Sequence, residues 1–185
     1  LYITDVQLVG LDGSVFSFSG KKIIKVLEKA TYEIGQVPVK RYKSLRFKVG
    51  LDGLTDKLIP STSSDSSILN RPEMWFSNSA QPDGYIYMNV QGKIDTSATL
   101  NKPPVPFAYK IGTNKNYIQI TMPEKELVAE EGQILFGHII IDYNKLFNGV
   151  DLRQVDNLSI PTPSSNSSAL ASKIVNNIHS MFIYE

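Results

Sequence analysis

The sequence contains no cysteine, and this absence removes a set of structural and catalytic options. Without cysteine there is no disulfide framework, no thiolate-bound zinc or iron–sulfur cluster and no thiol nucleophile. Histidine is also scarce, with two residues among 185, and there are four methionines. Because a closed metal site needs several convergent ligands, the supply of soft donors is very small.

Excess charge is lacking too. Lys and Arg number 19 against 18 Asp and Glu, a formal net charge of +1, so no strong field favours a polyanion and we expect no nucleic-acid partner. A local basic group, Lys40, Arg41, Lys43, Arg46 and Lys48, alternates with apolar residues. We interpret it as the solvated face of a strand rather than a binding patch.

No run approaches the ~18 apolar residues needed to cross a bilayer, so we expect no transmembrane span. The chain starts directly on an apolar strand, LYITDVQLVG, with neither a basic leader nor an initiating Met. We therefore expect that further residues precede Leu1.

Catalytic signatures are missing as well. There is no G-x-S-x-G, H-E-x-x-H, P-loop or dinucleotide fingerprint. Asp142 and Asp151 lie near Lys145 without a histidine or a serine elbow, and ordinary surface carboxylates explain them. We expect that the protein is not an enzyme.

The residues that are present favour β-structure. Hydrophobic residues make up 42% and aromatic residues 10%, enough for a packed core in one domain spanning 1–185. Helical spacing appears late, from Ala169 to Ile178. We predict an all-β antiparallel β-sandwich of the Ig-like or Greek-key type with a short C-terminal helix. Its strands are predicted at 2–9, 14–19, 23–27, 42–51, 85–90, 107–111, 117–122 and 134–142.

The stretch from Met74 to Lys93 is the most informative. It holds the only tryptophan, Trp75, and a dense strand pattern that begins at Tyr85 after a Pro-Asp-Gly turn. We predict that Trp75, Phe76, Tyr85 and Tyr109 form the rim of a ligand site. The alternative for Trp75 is a large core or rim side chain that anchors the loop before the strand.

Seven segments of the chain, in order, resemble the MbnP-like domain, named for the methanobactin-associated copper-binding protein of Gram-negative bacteria. The resemblance implies an extracytoplasmic β-sandwich, in the periplasm or on the outer cell surface, that binds rather than catalyses. It also implies that an upstream N-terminal strand and an export or lipid-anchor segment precede Leu1. The segments are LYITDVQLVGLDG at 1–13, LRFKVGLD at 45–52, MWFSN at 74–78, GYIYMNVQG at 84–92, FAYKIG at 107–112, IDYNKLFNG at 141–149 and ASKIVNNIHSMF at 171–182.

The departures from the family pattern concern copper. The family has paired tryptophans, where this chain has Trp75 and Phe76 followed by Asn78 and an insertion at 79–83. In the copper-binding member, an oxidised tryptophan and a histidine help to hold the metal, but the family's F-H-L-G segment reads here as Phe107, Ala108 and Tyr109. Copper is the ligand that the resemblance implies, and these changes predict that the site is degenerate.

The residues suggest two candidate metal sites, one for copper and one for calcium. His138 is the one candidate copper ligand, although a lone strand histidine is more often structural or surface-exposed. His179 is expected to follow the late helix, and the methionines show no metal-binding spacing. Asp52, Asp56 and Asp65 flank a serine-rich loop and suggest calcium, but turn formation explains them more simply.

These observations predict a non-enzymatic extracytoplasmic binding or accessory module with no cofactor beyond a possible copper ion. The alternative is a cell-surface structural or adhesion module that binds a protein or a glycan.

Overall fold

The computed structural model of the protein describes residues 1–77, 84–97, 99 and 101–185. These residues form antiparallel sheets with one C-terminal helix, which confirms the predicted all-β sandwich. Asn78 and the insertion at 79–83 lie outside the described residues. The strands are β1 Tyr2–Gly10, β2 Val15–Ser17, β3 Lys22–Ile24, β4 Lys40–Val49, β5 Ile86–Ile94, β6 Val105–Gly112, β7 Ile118–Thr121, β8 Leu127–Ala129, β9 Ile139–Ile141, β10 Ser159–Ile160 and β11 Phe182–Tyr184.

The largest sheet is built around β1 and β4. β1 pairs with β2 and β3 along one edge and with β4 along the other, and β4 then pairs with β7 and β8. Every one of these pairings is antiparallel. The alternation of buried and exposed side chains along β1 shows why its sequence forms a half-buried strand.

The basic residues of β4 lie on the solvated side of this sheet, as predicted. Four of the five contact a carboxylate on a neighbouring segment, so their positive charge is locally neutralised, while Arg46 donates to the Gln7 side-chain oxygen at 2.5 Å. Such exposed pairs contribute little to stability, about 0–1 kcal/mol each. The pairs are Lys40–Asp12 at 2.7 Å, Arg41–Glu126 at 2.5 Å, Lys43–Glu124 at 3.1 Å and Lys48–Asp5 at 3.0 Å.

The second sheet has the order β10-β6-β5, in which β5 and β6 form a long antiparallel pair and β10 joins β6 in parallel. A separate ribbon consists of β9 and β11. The main core lies between these elements and includes Phe47, Val49, Met88, Tyr109 and Ile111.

The helix α1, Ala169–Met181, covers one side of this core. It begins where the Ser168 hydroxyl accepts the Ala171 N–H at 3.0 Å, an N-cap. Its buried face consists of Ala171, Ile174, Val175, Ile178 and Met181, which all belong to the main core. The helical spacing read from the sequence is therefore confirmed.

Some boundaries differ from the prediction. The strand predicted at 134–142 is regular only at Ile139–Ile141, and 134–138 has no regular structure. His179 lies within α1 rather than after it. The short strands β8, β10 and β11 were not predicted as strands, because two or three residues carry too little periodicity.

Candidate functional site

A second, smaller core lies where an irregular loop covers the start of β5. We call it the tyrosine cluster: Tyr2, Leu51, Met74, Tyr85 and Tyr87, each at most 3% exposed. The covering loop, 52–76, contains three short 3₁₀ turns rather than a strand or a long helix. Trp75 and Tyr117 pack against the cluster from its edges.

Two hydrogen bonds attach this loop to the tyrosine cluster, and a third joins two parts of the loop itself. A carboxylate oxygen of Asp56 accepts the Tyr85 N–H at 2.9 Å. The Tyr2 hydroxyl donates to the Ile68 carbonyl at 2.9 Å, and the Trp75 indole N–H donates to the Leu69 carbonyl at 3.0 Å. The loop is therefore held at both ends by buried or half-buried side chains.

The carboxyl group of Asp56, in the covering loop, lies in an environment that disfavours its charged form. Burial raises the pKa of Asp56, and the nearby negative charge of Asp52 raises it further, while the Tyr85 N–H and the Tyr87 hydroxyl lower it. No cationic side chain among the described residues contributes to the shift. The site thus holds a half-buried carboxyl group without an ion-pair partner in the described part of the chain.

Two phenol groups end in the same region. The hydroxyls of Tyr85 and Tyr87 are buried and make no hydrogen bond to any described residue. The Tyr87 hydroxyl interacts electrostatically with Asp56 but does not reach hydrogen-bond geometry. Burial raises the pKa of each phenol, so both hydroxyls stay protonated at neutral pH.

The predicted rim is wrong for Tyr85 and Tyr109. Both are 0% exposed, because β5 is covered by the loop and Tyr109 lies in the main core. The Tyr109 hydroxyl donates to the Asn157 carbonyl, and burial raises the pKa of Tyr109 to about 12. These side chains fill space and hold segments together, and they are not available at a site mouth.

Trp75 and Phe76 are half-buried and lie at the edge of the tyrosine cluster and of β6. Phe76 packs directly on Gly112, where an added Cβ would lie 2.6 Å from its ring. The Trp75 indole is committed to the Leu69 carbonyl, so the structure places Trp75 as a loop anchor. Tyr85 pairs with Trp75 through an isolated bridge, but Tyr109 belongs to a different cluster.

The two histidines lie on separate elements and do not come together at one site. His138 is exposed beside the Phe136 ring, with 6.3 Å between centroids, and its carbonyl accepts the Glu185 N–H at 3.1 Å. His179 is exposed on α1. Within the described ranges, no three side chains of the histidine, cysteine, aspartate or glutamate type come together as metal ligands.

The four methionines are not placed as metal ligands either. All four methionines are buried, at 0 to 3% exposure, and they are divided between the two cores. Because a buried methionine with apolar neighbours acts as a flexible space filler, these residues are packing groups. The four are Met74, Met88, Met122 and Met181.

The three aspartates weighed for calcium serve separate local roles. Asp52 accepts the Leu54 and Thr55 N–H groups at 3.0 and 2.9 Å, and this closes the first 3₁₀ turn. Asp56 accepts the Tyr85 N–H, and Asp65 accepts the Asn70 side-chain amide at 3.2 Å. They act as turn and loop formers, the simpler of the two interpretations.

A polar node that the sequence did not reveal joins β6 to the segment before α1. The buried Asn166 side chain accepts the Gly112 N–H at 2.9 Å and donates to the carbonyls of Lys110 and Thr162. It also accepts from the Asn116 amide at 3.1 Å. An asparagine within a Ser-rich segment gives no sequence signal of this role.

The family model described as MbnP matches residues 1–167, which is most of the chain. The chain belongs to the MbnP family. Comparison with curated proteins and with solved structures gave no match.

Membership in the MbnP family confirms the resemblance seen in the sequence. The match includes Trp75, the β5 and β6 strands and the loop that covers the tyrosine cluster. Copper, the ligand that the resemblance implies, does not fit the donors found here, because the histidines are separate and Tyr109 is a buried phenol. In the described part of this MbnP-family chain, no helix is long and apolar enough to cross a membrane.

Proposed function

We propose that this MbnP-family protein is a non-enzymatic, extracytoplasmic binding or accessory module whose copper site is degenerate. The observation that carries the proposal is the placement of the possible copper donors. The two histidines are exposed on separate elements and the methionines are all in the cores. Copper sites need several imidazole or sulfur ligands at one place, and in this chain those side chains lie apart.

The non-enzymatic part rests on the same region. The half-buried carboxyl group of Asp56 accepts the Tyr85 N–H and interacts with the Tyr87 hydroxyl, and no histidine contacts it among the described residues. Most exposed carboxylates with shifted pKa values are paired with Lys or Arg or bound to Ser, as in Asp12 and Asp151. Such pairing is typical of surface structure rather than of acid–base catalysis.

The extracytoplasmic location, in the periplasm or on the outer surface, is part of the same proposal, with a lipid anchor upstream as one means of attachment. Its support is membership in a family named for a methanobactin-associated protein. Cell fractionation tests it directly. Recovery of the protein in the envelope fraction is expected, and recovery in the cytosol would overturn this part.

The copper part is tested on protein purified from copper-supplemented cells. We expect copper far below one ion per chain and an unmodified Trp75 peptide by mass spectrometry. Stoichiometric copper together with an oxidised Trp75 peptide would contradict the proposal. A His138→Ala variant and an Asn144→Ala variant, both at exposed positions, serve as the ligand test and its matched control.

A second candidate function is a cell-surface structural or adhesion module that contacts a protein or a glycan. One observation favours it: an exposed apolar group formed by Ile134, Phe136, Ile140 and Ile183, which are 78, 58, 47 and 41% exposed. Binding of labelled protein to purified envelope proteins and to a glycan array separates the two ligand classes. No binding to either would remove this candidate.

A further inference from the structure

The ribbon of β9 and β11 has one edge, on β9, that pairs with no other strand in the described part of the chain. Ile140 lies opposite Ile183, and the ladder continues where Glu185 donates to His138 and Asp142 donates to Met181 at 2.8 Å. In an antiparallel ladder, alternate residues direct their main-chain groups to opposite edges. His138, Ile140 and Asp142 therefore face β11, whereas Ile139 and Ile141 direct their N–H and C=O groups away from it.

The preceding segment continues this edge. Within the described part of the chain, none of the main-chain groups of residues 134–137 makes a hydrogen bond. Leu135 and Tyr184 both pack against the small cluster around Tyr42 and Leu127, while Ile134 and Phe136 are 78 and 58% exposed. We call residues 134–141 the open edge.

The open edge lacks the features that normally prevent edge pairing. Natural sheets protect exposed edges with charged side chains, proline or a covering segment. The sequence from Gln133 to Ile141 contains no lysine, arginine, acid or proline, and six of its residues are Ile, Leu or Phe. By contrast, the segment entering β8 carries Glu124, Lys125 and Glu126 in succession. The open edge is thus both unpaired and apolar.

We propose that the open edge pairs antiparallel with the same edge of a second copy of this chain, across a two-fold axis. The result is one continuous sheet in the order β11-β9-β9-β11. A two-fold pairing is closed, because both copies use the same edge for one contact, so it does not propagate into a fibre. Ile134, Phe136 and Ile140 are apolar groups that this pairing brings toward the partner copy.

Charge favours a second copy in this orientation. Glu130 and Glu131 lie just before the open edge, and the exposed Lys145 lies just after it. Antiparallel pairing brings the acidic end of one copy toward Lys145 of the other, whereas parallel pairing would place acid beside acid. Asp142, at the same end as Lys145, already accepts the Asn144 N–H at 3.0 Å. The net charge of +1 per chain adds little long-range repulsion.

A short edge and a few side chains form a small interface, below the ~1,200 Å² of total buried area typical of stable complexes. We therefore expect a concentration-dependent dimer rather than a permanent one. Sedimentation equilibrium over a wide concentration range should show an average mass that rises toward twice the chain mass and then levels off.

Phe136→Lys and Ile134→Lys should each keep the chain monomeric at every concentration, because they add charge at exposed positions of the edge. Val155→Lys, at an equally apolar position that is 78% exposed on a separate 3₁₀ turn, should dimerise like the wild type. Melting curves at low concentration check that all three variants fold.

Amide hydrogen exchange locates the contact. The Ile139 and Ile141 amides should gain protection as wild-type concentration rises, and they should not do so in Phe136→Lys. The proposal is overturned by a monomer at the highest concentration, by a mass that grows without limit, or by a Phe136→Lys variant that dimerises normally.

Discussion

The carboxylate of Asp56 accepts the main-chain N–H of Tyr85 at 2.9 Å, and this bond connects an irregular loop to the buried residue just before β5. The two residues are 29 positions apart along the chain, so this hydrogen bond fixes the loop over the tyrosine cluster. A Cβ added at Gly84 would lie 3.2 Å from both carboxylate oxygens, which shows how closely the backbone approaches. Asp56 is therefore held in place although its charge is poorly solvated.

Asp56→Asn should stabilise the protein at neutral pH. Because burial raises the folded pKa, the folded chain binds the proton more tightly than the unfolded chain does. Stability therefore falls as pH rises from the ordinary carboxyl value of about 4 through the raised folded value. Asparagine keeps an oxygen that accepts the Tyr85 N–H and removes this fall, which denaturant unfolding at several pH values can measure.

The matched control is Asp65→Asn, an exposed aspartate in the same loop that accepts the Asn70 amide. Because Asp65 is exposed, the substitution should change the free energy of unfolding little. An Asp56→Asn protein that is less stable than wild type at pH 7 would mean that a positive group compensates the native carboxylate.

Trp75→Phe should destabilise the protein by about 1 kcal/mol. The ring remains, but the N–H that donates to the Leu69 carbonyl at 3.0 Å is lost. Because this removes the only tryptophan, unfolding has to be followed by circular dichroism. Phe76→Leu, which keeps an apolar group at the neighbouring half-buried position, is the packing control. If Trp75→Phe leaves stability unchanged, the indole hydrogen bond does not anchor the loop.

Gly112→Ala should cost about 1–3 kcal/mol by overpacking. The new methyl group would lie 2.3 Å from the Tyr85 carbonyl oxygen and 2.6 Å from the Phe76 ring. Gly137→Ala is the control, since the nearest atom there is the Tyr184 hydroxyl at 4.0 Å. Thermal unfolding of the two variants compares a crowded site with an open one, and equal melting temperatures would contradict the close contact.

Asn166→Ala should be the most destabilising of these changes, by about 2–4 kcal/mol. It leaves the Gly112 N–H and two carbonyl groups without their partner at a position that is 1% exposed. Asn144→Ala, at an exposed position, should change unfolding by less than ~0.5 kcal/mol. Denaturant titration measures both values, and a small loss for Asn166→Ala would show that water replaces the amide.

The sequence predicted the elements that carry clear periodicity. The alternation in β1 and β4 and the helical spacing from Ala169 place strands and helix correctly, because each element buries one face against the same core. The strand β11 was not predicted, because it follows α1 directly and has only three residues.

The candidate site was harder to predict because it depends on a loop without periodicity. Tyr85 and Tyr87 share a strand face that would be an exposed aromatic ladder if nothing covered it. The loop 52–76 covers it, through contacts such as Asp56 to Tyr85 that are far apart in sequence. Tyr109 was misplaced for a similar reason, since β10 pairs with β6 at this position and the Phe147 ring lies 5.9 Å from the Tyr109 ring.

The most direct test of the central claim, an MbnP-family fold without the copper site, is a Cu(I) titration of the purified chain against a competing chelator. The account predicts that the chelator keeps the copper and that the wild type and His138→Ala behave identically. Stoichiometric copper binding that outcompetes the chelator and is lost in His138→Ala would contradict it.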